Sequence, residues 1–129
     1  MKKEIAAPVL SAESRPYYEA AATGKFLIKR CTACQKNFWY PRAICPFCMS
    51  SDTEWLEASG QGTVYTYSVL RRAKVPYVLA YVTLDEGPTM LTNLVNFDHD
   101  AIRIGQKVRV TFETAVNGAK VPMFEPRAD

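Results

Sequence analysis

The stretch CTACQKNFWYPRAICPFC, residues 31–48, contains all four cysteines of the chain as two Cys-x-x-Cys pairs with ten residues between them. Each pair can fold as a tight knuckle whose two sulfurs converge on one ion, and two knuckles complete a tetrahedron. Four thiolates in a tetrahedral set favour zinc or iron. The spacing therefore predicts one structural metal ion, held by a closed ligand set that consists of Cys31, Cys34, Cys45 and Cys48.

Zinc is favoured over iron because nothing near the cysteines indicates an electron-transfer surface, although Cys45-Pro-Phe-Cys48 is similar to a rubredoxin knuckle. Two redox-active dithiols or two disulfides are the competing interpretations. They are disfavoured because the chain shows no thioredoxin-like βαβ pattern and because a reducing compartment is expected. Residues 1–10 lack the apolar core of a signal peptide, and no stretch approaches the ~20 apolar residues of a membrane span. We therefore expect a cytoplasmic protein without a membrane segment.

Composition divides the chain into residues 1–24, 25–58 and 59–129. In the first part, Ser11 or Ser14 is suited to cap a short helix, and Gly24 is suited to follow its end. The apolar stripe of this helix consists of Tyr17, Ala20 and Ala21, with Phe26 as a candidate to extend it. A helix this short is marginal alone, so it must dock either on its own chain or on a partner. The second part has no helical period, and we expect short strands that need a metal because the segment is too small for a core.

Residues 59–129 are β-rich, with turn signals at regular spacing. Residues 107–113 alternate polar and apolar side chains, as a half-buried antiparallel strand does. Asn117-Gly118 is a hairpin turn signal, and Pro122 in the returning strand argues that this strand lies at an edge. Five short strands favour a small antiparallel barrel of the OB type. The predicted strands are 64–70, 77–84, 89–95, 107–113 and 120–125.

The composition is that of an ordinary globular protein, with 48% hydrophobic residues, 22% charged residues and a net charge of +3. A dedicated nucleic-acid binder would be more basic. The chain has no Gly-x-Ser-x-Gly motif, no Walker loop and no dinucleotide fingerprint. The single histidine, His99, is interpreted as a solvated loop residue in preference to a general base. We therefore predict no catalytic residues in this chain.

One basic cluster, formed by Arg71, Arg72 and Lys74, lies between the first two barrel strands. In OB barrels this loop borders the binding face. Its residues are the candidates for contact with phosphates, either of nucleic acid or of a nucleotide-containing ligand such as coenzyme A. A solvated hairpin tip is an equally good interpretation. Nearby tyrosines are suited to stack on bases or to form barrel core and partner surface, and they are Tyr65, Tyr67, Tyr77 and Tyr81.

An ordered set of short motifs accompanies the cysteines along the chain. They include Gly24-Lys-Phe-Leu27, Tyr40-Pro-Arg-x2-Cys45-Pro-x-Cys48, Trp55, Ser59-Gly-x-Gly-x-Val-Tyr65, Pro76-Tyr77, Leu84-Asp-Glu-Gly87, Ile104-Gly-x-x-Val108 and Pro122-x-Phe124. The set resembles the acyl-CoA-associated family that joins a rubredoxin-like zinc ribbon to an OB-fold barrel, long described as a domain of unknown function. The expected fold is therefore mainly β, with a short N-terminal helix, a four-cysteine zinc ribbon and a five-stranded barrel.

The chain departs from the family pattern after the second cysteine, where Gln35 replaces the usual glycine. Because knuckle backbones adopt positive φ at that position, we expect the first knuckle to be slightly strained or differently turned.

The resemblance implies a role that depends on a partner. Such proteins are similar to small subunits that associate with thiolase-fold enzymes (thiolases, acyltransferases, aldolases) or with hot-dog-fold hydratases, and the partner carries the catalytic groups. The small subunit bridges or completes the complex, and its contact with acyl-CoA is left open. Aromatic residues are enriched at interface cores. The predicted partner-binding residues, on the helix and on the exposed ribbon surface, are Tyr17, Tyr18, Phe38, Trp39 and Phe47.

Three hypotheses follow, in order of preference. The first is a non-catalytic accessory subunit of an acyl-CoA or acyl-transfer enzyme complex. The second is a zinc-ribbon and OB module that binds single-stranded nucleic acid with salt-sensitive affinity. The third is an enzyme in its own right that uses His99.

Overall fold

The computed structural model describes residues 4–127, so the first three residues of the predicted segment 1–24 and the last two of the segment 59–129 lie outside it. Within the described residues, one short helix precedes eight strands that form two sheets. The elements are α1 (Arg15–Ala22), β1 (Leu27–Cys31), β2 (Asn37–Phe38), β3 (Thr53–Glu57), β4 (Gln61–Leu70), β5 (Tyr77–Leu84), β6 (Thr89–Leu94), β7 (Lys107–Thr114) and β8 (Lys120–Pro126). No helix among the described residues is long and apolar enough to cross a membrane.

Both predicted capping serines lie at the start of α1. Ser14 is the N-cap residue, and its hydroxyl accepts a hydrogen bond from the Ser11 N–H at 3.0 Å instead of capping the helix. After the helix ends, Gly24 adopts φ +85°, as predicted for that position. Tyr17 and Ala21 are buried, and α1 contacts β1 and β8. Of the two alternatives for docking, the structure therefore shows α1 packed on its own chain.

The first sheet has the order β2-β1-β3 and is antiparallel. Its central strand carries Lys29, which pairs with Phe38 on one side and Trp55 on the other. The Lys29 ammonium lies 4.5 Å from the centroid of a Trp55 ring, so a nearly buried lysine keeps a favourable contact for its charge. Burial lowers the pKa of Lys29, and the nearby Glu13 carboxylate partly offsets this effect.

The second sheet is a closed barrel with the order β4-β5-β6-β8-β7. All neighbouring strands are antiparallel except β6 and β8, which pair in parallel at a single position, Leu94 with Phe124. This architecture confirms the predicted five-stranded OB-type barrel. β4 begins three residues earlier than predicted because Gln61, Gly62 and Thr63 already pair with β7.

The expectation that the returning strand lies at an edge is wrong, since β8 lies between β6 and β7. The Ala115 N–H donates to the Ala119 carbonyl at 2.7 Å, and hydrogen-bonded positions alternate along an antiparallel pair. The backbone groups of Val121 and Met123 therefore point toward β7. The backbone carbonyl of Pro122 points the other way, toward β6. Because β6 pairs with β8 only at Phe124, the missing N–H of Pro122 leaves no ladder partner unsatisfied.

One hydrophobic core spans the ribbon and the barrel. Tyr17 and Ile28 belong to the same buried cluster as the inward-facing residues of all five barrel strands. The rings of Phe26 and Phe124 meet edge to face with their centroids 6.0 Å apart, which joins the start of the ribbon to the barrel centre. The division of the chain at 24/25 and 58/59 stays a prediction.

Candidate metal centre

The two cysteine knuckles have the same backbone pattern. In the first, the Gln35 N–H donates to the Cys31 carbonyl at 2.8 Å, and the Cys31 N–H donates to the Lys36 carbonyl at 2.9 Å. In the second, the Met49 N–H donates to the Cys45 carbonyl at 3.0 Å, and the Cys45 N–H donates to the Ser50 carbonyl at 2.9 Å. Each chain segment thus turns back immediately after its second cysteine, which brings its two sulfurs to the same side.

The residue after each knuckle adopts a left-handed backbone conformation. Gln35 has φ 63° and Met49 has φ 66°. The strain predicted at Gln35 is therefore present, because this conformation costs a residue with a Cβ about 1–2 kcal/mol. Sequence reasoning missed the same feature at Met49, although the equivalent position in the second Cys-x-x-Cys pair was available as a signal.

The four sulfurs lie close enough to share one ion. The Sγ atoms of Cys31 and Cys48 are 3.5 Å apart, and those of Cys34 and Cys45 are 3.7 Å apart. All four lie within 4.8 Å of one another, and none forms a disulfide. A tetrahedron with metal–sulfur bonds of about 2.3 Å has edges of about 3.8 Å, so the separations fit such a centre. The structure thus clusters these four cysteines as a metal-binding set.

Backbone N–H groups also point at the sulfurs. The Phe47 N–H donates to Cys45 Sγ at 3.3 Å, and the Cys34 N–H donates to Cys31 Sγ at 3.5 Å. Burial raises the pKa of Cys45, but hydrogen bonds from the Cys48 and Phe47 N–H groups and from neighbouring thiols outweigh it and lower the pKa to about 7. These donors favour the thiolate form that a metal ion requires.

The pKa of Cys48 is raised to about 12. A hydrogen bond from the Ser50 N–H lowers it, but the nearby Cys31 sulfur, burial and the other two sulfurs together raise it more. Without a cation, four clustered sulfurs cannot all become thiolates, so the set is arranged for a positively charged centre.

Two of the predicted partner-binding residues are buried within this chain. Phe38 is 5% exposed and packs with Cys31 and Cys45, so the expectation that it is an exposed ribbon residue is wrong. It pairs with Lys29 in the sheet, and that strand pairing turns its ring toward the cysteines. Tyr17 is 4% exposed, and its hydroxyl accepts a hydrogen bond from Trp39 Nε1 at 3.3 Å. Burial raises the pKa of Tyr17 far above its usual range, and this hydrogen bond offsets only part of the effect.

The other three predicted residues are accessible. Tyr18 and Trp39 are half-buried, and Phe47 is exposed on the second knuckle. Burial raises the pKa of Tyr18, with a further contribution from Tyr40. Sequence reasoning did not single out three large hydrophobic residues beside Phe47 that are also exposed, namely Tyr40, Ile44 and Met49. Their concentration around the second Cys-x-x-Cys pair is the signal that was available. Partner binding by these residues stays a prediction.

The basic cluster lies in the β4–β5 connection, where Arg71 and Arg72 are exposed. Arg71 forms an ion pair with Asp100 at 2.9 Å, which links this connection to the segment that carries His99. Both partners of the pair are largely exposed, so its contribution to stability is small. Ligand binding by Arg71, Arg72 and Lys74 stays a prediction.

The fold and the cysteine cluster define a class of protein in which a four-cysteine ribbon is joined to an OB-fold barrel. Two family descriptions match this chain in the same order. Residues 19–54 match the ChsH2 rubredoxin-like zinc ribbon domain, and residues 55–113 match the ChsH2 C-terminal OB-fold domain.

Similarity to known proteins identifies the family. A DUF35 domain-containing scaffold protein of Methanothermobacter thermautotrophicus is 36% identical over 90 residues, which are 64% of this chain and 68% of that protein. The chain belongs to the DUF35 family of ribbon-and-barrel proteins. This finding confirms the resemblance that the ordered motifs indicated.

Two further similarities involve larger systems. A probable enoyl-CoA hydratase alpha subunit of Thermomonospora curvata is 36% identical over 124 residues, which are 92% of this chain but only 39% of that protein. The solved structure of an Ltp2-ChsH2(DUF35) aldolase contains a chain that is 35% identical, with a TM-score of 0.81. The match covers 93% of this chain and 98% of that chain.

Proposed function

We propose that this chain is a non-catalytic, zinc-containing accessory component of an acyl-CoA enzyme complex. A partner of the thiolase fold or the hot-dog fold carries the catalytic groups, and this chain bridges or completes the assembly. The observation that carries the proposal is the whole-chain match to a DUF35 chain of an aldolase at TM-score 0.81 and 35% identity. The similarity to a hydratase alpha subunit is consistent with it.

The chemistry of the metal centre supports a structural role. Four thiols that close around one point leave no position for water or substrate, and catalytic zinc sites keep such a position open. Zinc is the proposed ion, held by Cys31, Cys34, Cys45 and Cys48, because a tetrahedral four-sulfur set without a redox surface suits it best. The ion then organises the ribbon surface and takes no part in the partner's chemistry.

The ribbon surface is the proposed docking site for the partner. Phe47 is 57% exposed and Met49 is 73% exposed on the second knuckle, and Tyr40 and Ile44 are exposed nearby. Trp39 and Tyr18 continue this surface toward α1. Exposed aromatic and methionine side chains are enriched where proteins associate, whereas charged ones are depleted.

The nucleic-acid alternative is disfavoured by the barrel. Strands β4, β5 and β6 contain no lysine or arginine, although Tyr65 and Tyr81 are exposed on them. A surface that binds single strands combines stacking aromatics with a basic groove that follows the backbone. Here Arg71, Arg72 and Lys74 lie in the β4–β5 loop, and Lys107 and Arg109 lie on β7 opposite the start of β4. No basic residue lies on the strands that carry the two exposed tyrosines.

An affinity purification from the native host in low salt tests the proposal. Mass spectrometry is expected to find a thiolase-like or hydratase chain in fixed ratio with this chain, and a metal assay is expected to find one zinc per copy. A Phe47→Asp and Met49→Asp double variant is expected to lose the partner and keep the zinc. An Ile104→Asp and Val116→Asp variant, which changes two residues equally exposed on the barrel, is the matched control. Recovery of the chain alone, or with nucleic acid that added salt removes, contradicts the proposal.

A further inference from the structure

A concave site lies at one end of the barrel, and no cysteine lines it. It is a cavity of about 460 Å³ that opens to solvent. Its walls come from separate parts of the chain: the end of β6 and the segment after it, the β4–β5 connection, β7, β8 and the N-terminal segment at Ile5. The Ile5 carbonyl accepts a hydrogen bond from the Val116 N–H at 2.9 Å, which fixes the N-terminal wall.

Most of the lining is apolar. Leu94 and Met123 are buried barrel residues that form its floor, and Phe97 and Val75 form parts of its sides. A volume of this size is within the range of about 300–1,000 Å³ that is typical of small-molecule sites, which are mainly apolar with a few convergent polar groups. The apolar walls favour an occupant with a hydrocarbon body.

Two polar side chains in the lining are suited to orient such an occupant. The Asn93 amide is fixed by a hydrogen bond from its Nδ2 to the Val78 carbonyl at 3.0 Å, which leaves its Oδ1 as the acceptor. The imidazole of His99, the single histidine of the chain, also lines the cavity. An amide oxygen and an imidazole together match a hydroxyl group, which both donates and accepts a hydrogen bond.

The charged groups determine which ligands are disfavoured. Among the described lining residues there is no lysine or arginine, and one carboxylate, Glu113, is present. An anionic ligand would therefore meet a carboxylate and no lysine or arginine among these lining residues. Outside the lining, the ion pair between Arg71 and Asp100 links the β4–β5 connection to the segment that carries His99.

We propose that this cavity binds a small neutral molecule with an apolar body and a hydroxyl group that meets Asn93 and His99. This site requires no partner protein, so it is independent of the accessory function proposed above. The cavity floor is built by β6 and β8, near the single position at which these strands pair. Occupancy is therefore expected to stabilise the barrel.

The test uses 2-naphthol as the probe, with naphthalene and 2-naphthalenesulfonate as probes of the same ring body. The full chain with its metal is titrated while two-dimensional amide and methyl spectra are recorded. We expect 2-naphthol to shift signals of Leu94, Val95 and Met123 in a saturable manner. The affinity for 2-naphthol should exceed that for either of the other probes by about tenfold, the value of one or two net hydrogen bonds.

Variants separate this site from nonspecific binding. Val75→Trp fills the cavity and is expected to abolish the binding of 2-naphthol, whereas Ile104→Trp places the same ring at an exposed position outside the lining. An Asn93→Ala and His99→Ala variant is expected to weaken 2-naphthol about tenfold and to leave naphthalene unchanged. If Val75→Trp does not fold, this second variant still decides the question. Equal binding of all three probes, shifts scattered outside the cavity or no saturable binding would overturn the proposal.

Discussion

The ribbon and the barrel of this chain are stabilised by different chemistry. The cluster around the cysteines has only three buried residues among those that the structure describes, Cys31, Phe38 and Cys45, and two of these are metal-ligand candidates. The barrel core instead takes aliphatic or aromatic residues from each of its strands, with Phe124, Leu84 and Met90 among the largest fully buried side chains. The ribbon is therefore expected to depend on its ion and the barrel on apolar burial.

The two regions are nevertheless not independent. Phe26 and Ile28, at the start of the ribbon, are buried in the barrel's cluster. Elsewhere along the junction, Asn37 Nδ2 donates to the Glu86 carbonyl at 3.0 Å, and the Glu86 carboxylate accepts from the Ser59 N–H at 2.8 Å. The inner half of the ribbon thus belongs to the barrel, and only the knuckles stand apart. Loss of the metal should accordingly disorder the knuckles and spare the inner half.

The largest effect is expected from Cys45→Ser, which removes one ligand of the closed set. Apparent binding energies of structural zinc are about 10–16 kcal/mol, more than the net stability of most domains. We expect loss of stoichiometric metal and loss of amide protection in the two knuckles, residues 31–36 and 45–50. Strands β4 to β8 should keep their protection, as measured by hydrogen exchange. Ala33→Ser, an exposed change within the first knuckle, is the control. If the knuckle amides stay protected from exchange in the metal-free variant, the expectation that the ribbon depends on its ion is wrong.

Phe124→Ala tests whether the barrel depends on apolar burial. This fully buried ring contacts Phe26, so its removal leaves a cavity where ribbon and barrel meet. We expect the free energy of unfolding to fall by about 3–5 kcal/mol while metal content stays unchanged. Chemical unfolding monitored by fluorescence measures the loss. Val116→Ala, a truncation at an exposed position, should change stability very little. Metal loss before barrel unfolding would show that the knuckles need the shared core.

Between the ribbon and the barrel, Gly60 is a position where an added side chain is expected to destabilise the fold. This residue has φ +79°, and an added Cβ would overlap Val110 Cγ1. Gly60→Ala should therefore cost about 2–4 kcal/mol, because it combines a left-handed backbone with overpacking. Gly118 has φ +87° but open space around it, so Gly118→Ala isolates the backbone contribution of about 1 kcal/mol. If thermal unfolding shows the same loss of stability for both alanine variants, the Val110 side chain has moved to relieve the contact with the new Cβ.

Local patterns in the sequence predicted the fold well. The Cys-x-x-Cys spacing, the alternation of residues 107–113 and the Asn117-Gly118 turn each depend on residues that are close in sequence, and β5 has the predicted bounds. The error at Pro122 has a nonlocal cause. Proline indicates only that its own position donates no backbone hydrogen bond. It carries no information about a parallel strand that pairs two residues later.

Of the candidate site, only the four cysteine ligands could be predicted from the sequence. Spacing groups the four cysteines, but it does not reveal that β1 and β2 turn Phe38 inward or that α1 buries Tyr17. The cavity that holds Asn93 and His99 was beyond sequence reasoning for the same reason. Its lining combines segments from both ends of the described chain, and no local pattern relates Ile5 to Met123.

A smaller effect is expected within the ribbon, from Gln35→Gly. Gln35 has φ 63°, a conformation that glycine adopts without steric cost. The relief of strain exceeds the added chain entropy of glycine by about 0.5–1 kcal/mol. Metal affinity, measured by competition with a chelator, should therefore rise by roughly twofold to fivefold. Ala33→Gly, at an exposed position of the same knuckle without a positive φ, is the control and should weaken binding. A fall in affinity for Gln35→Gly would mean that the side chain makes a favourable contact.

The smallest effect concerns the barrel surface at Glu125. Hydrogen bonds from Arg109 Nε at 2.7 Å and Asn96 Nδ2 at 2.8 Å lower the pKa of this carboxyl, although burial opposes them. A lowered folded-state pKa contributes stability that is present above the unfolded value of about 4.3 and lost as pH falls through the folded value. Arg109→Gln should therefore cost up to about 1 kcal/mol at pH 7, since Arg109 is largely exposed, and much less in acid. Urea unfolding at several pH values measures this difference, with the exposed Arg103→Gln as control. If Arg109→Gln lowers the free energy of unfolding by the same amount at all pH values, the ion-pair explanation is wrong. The loss of stability would then come from packing of the arginine stem against the barrel.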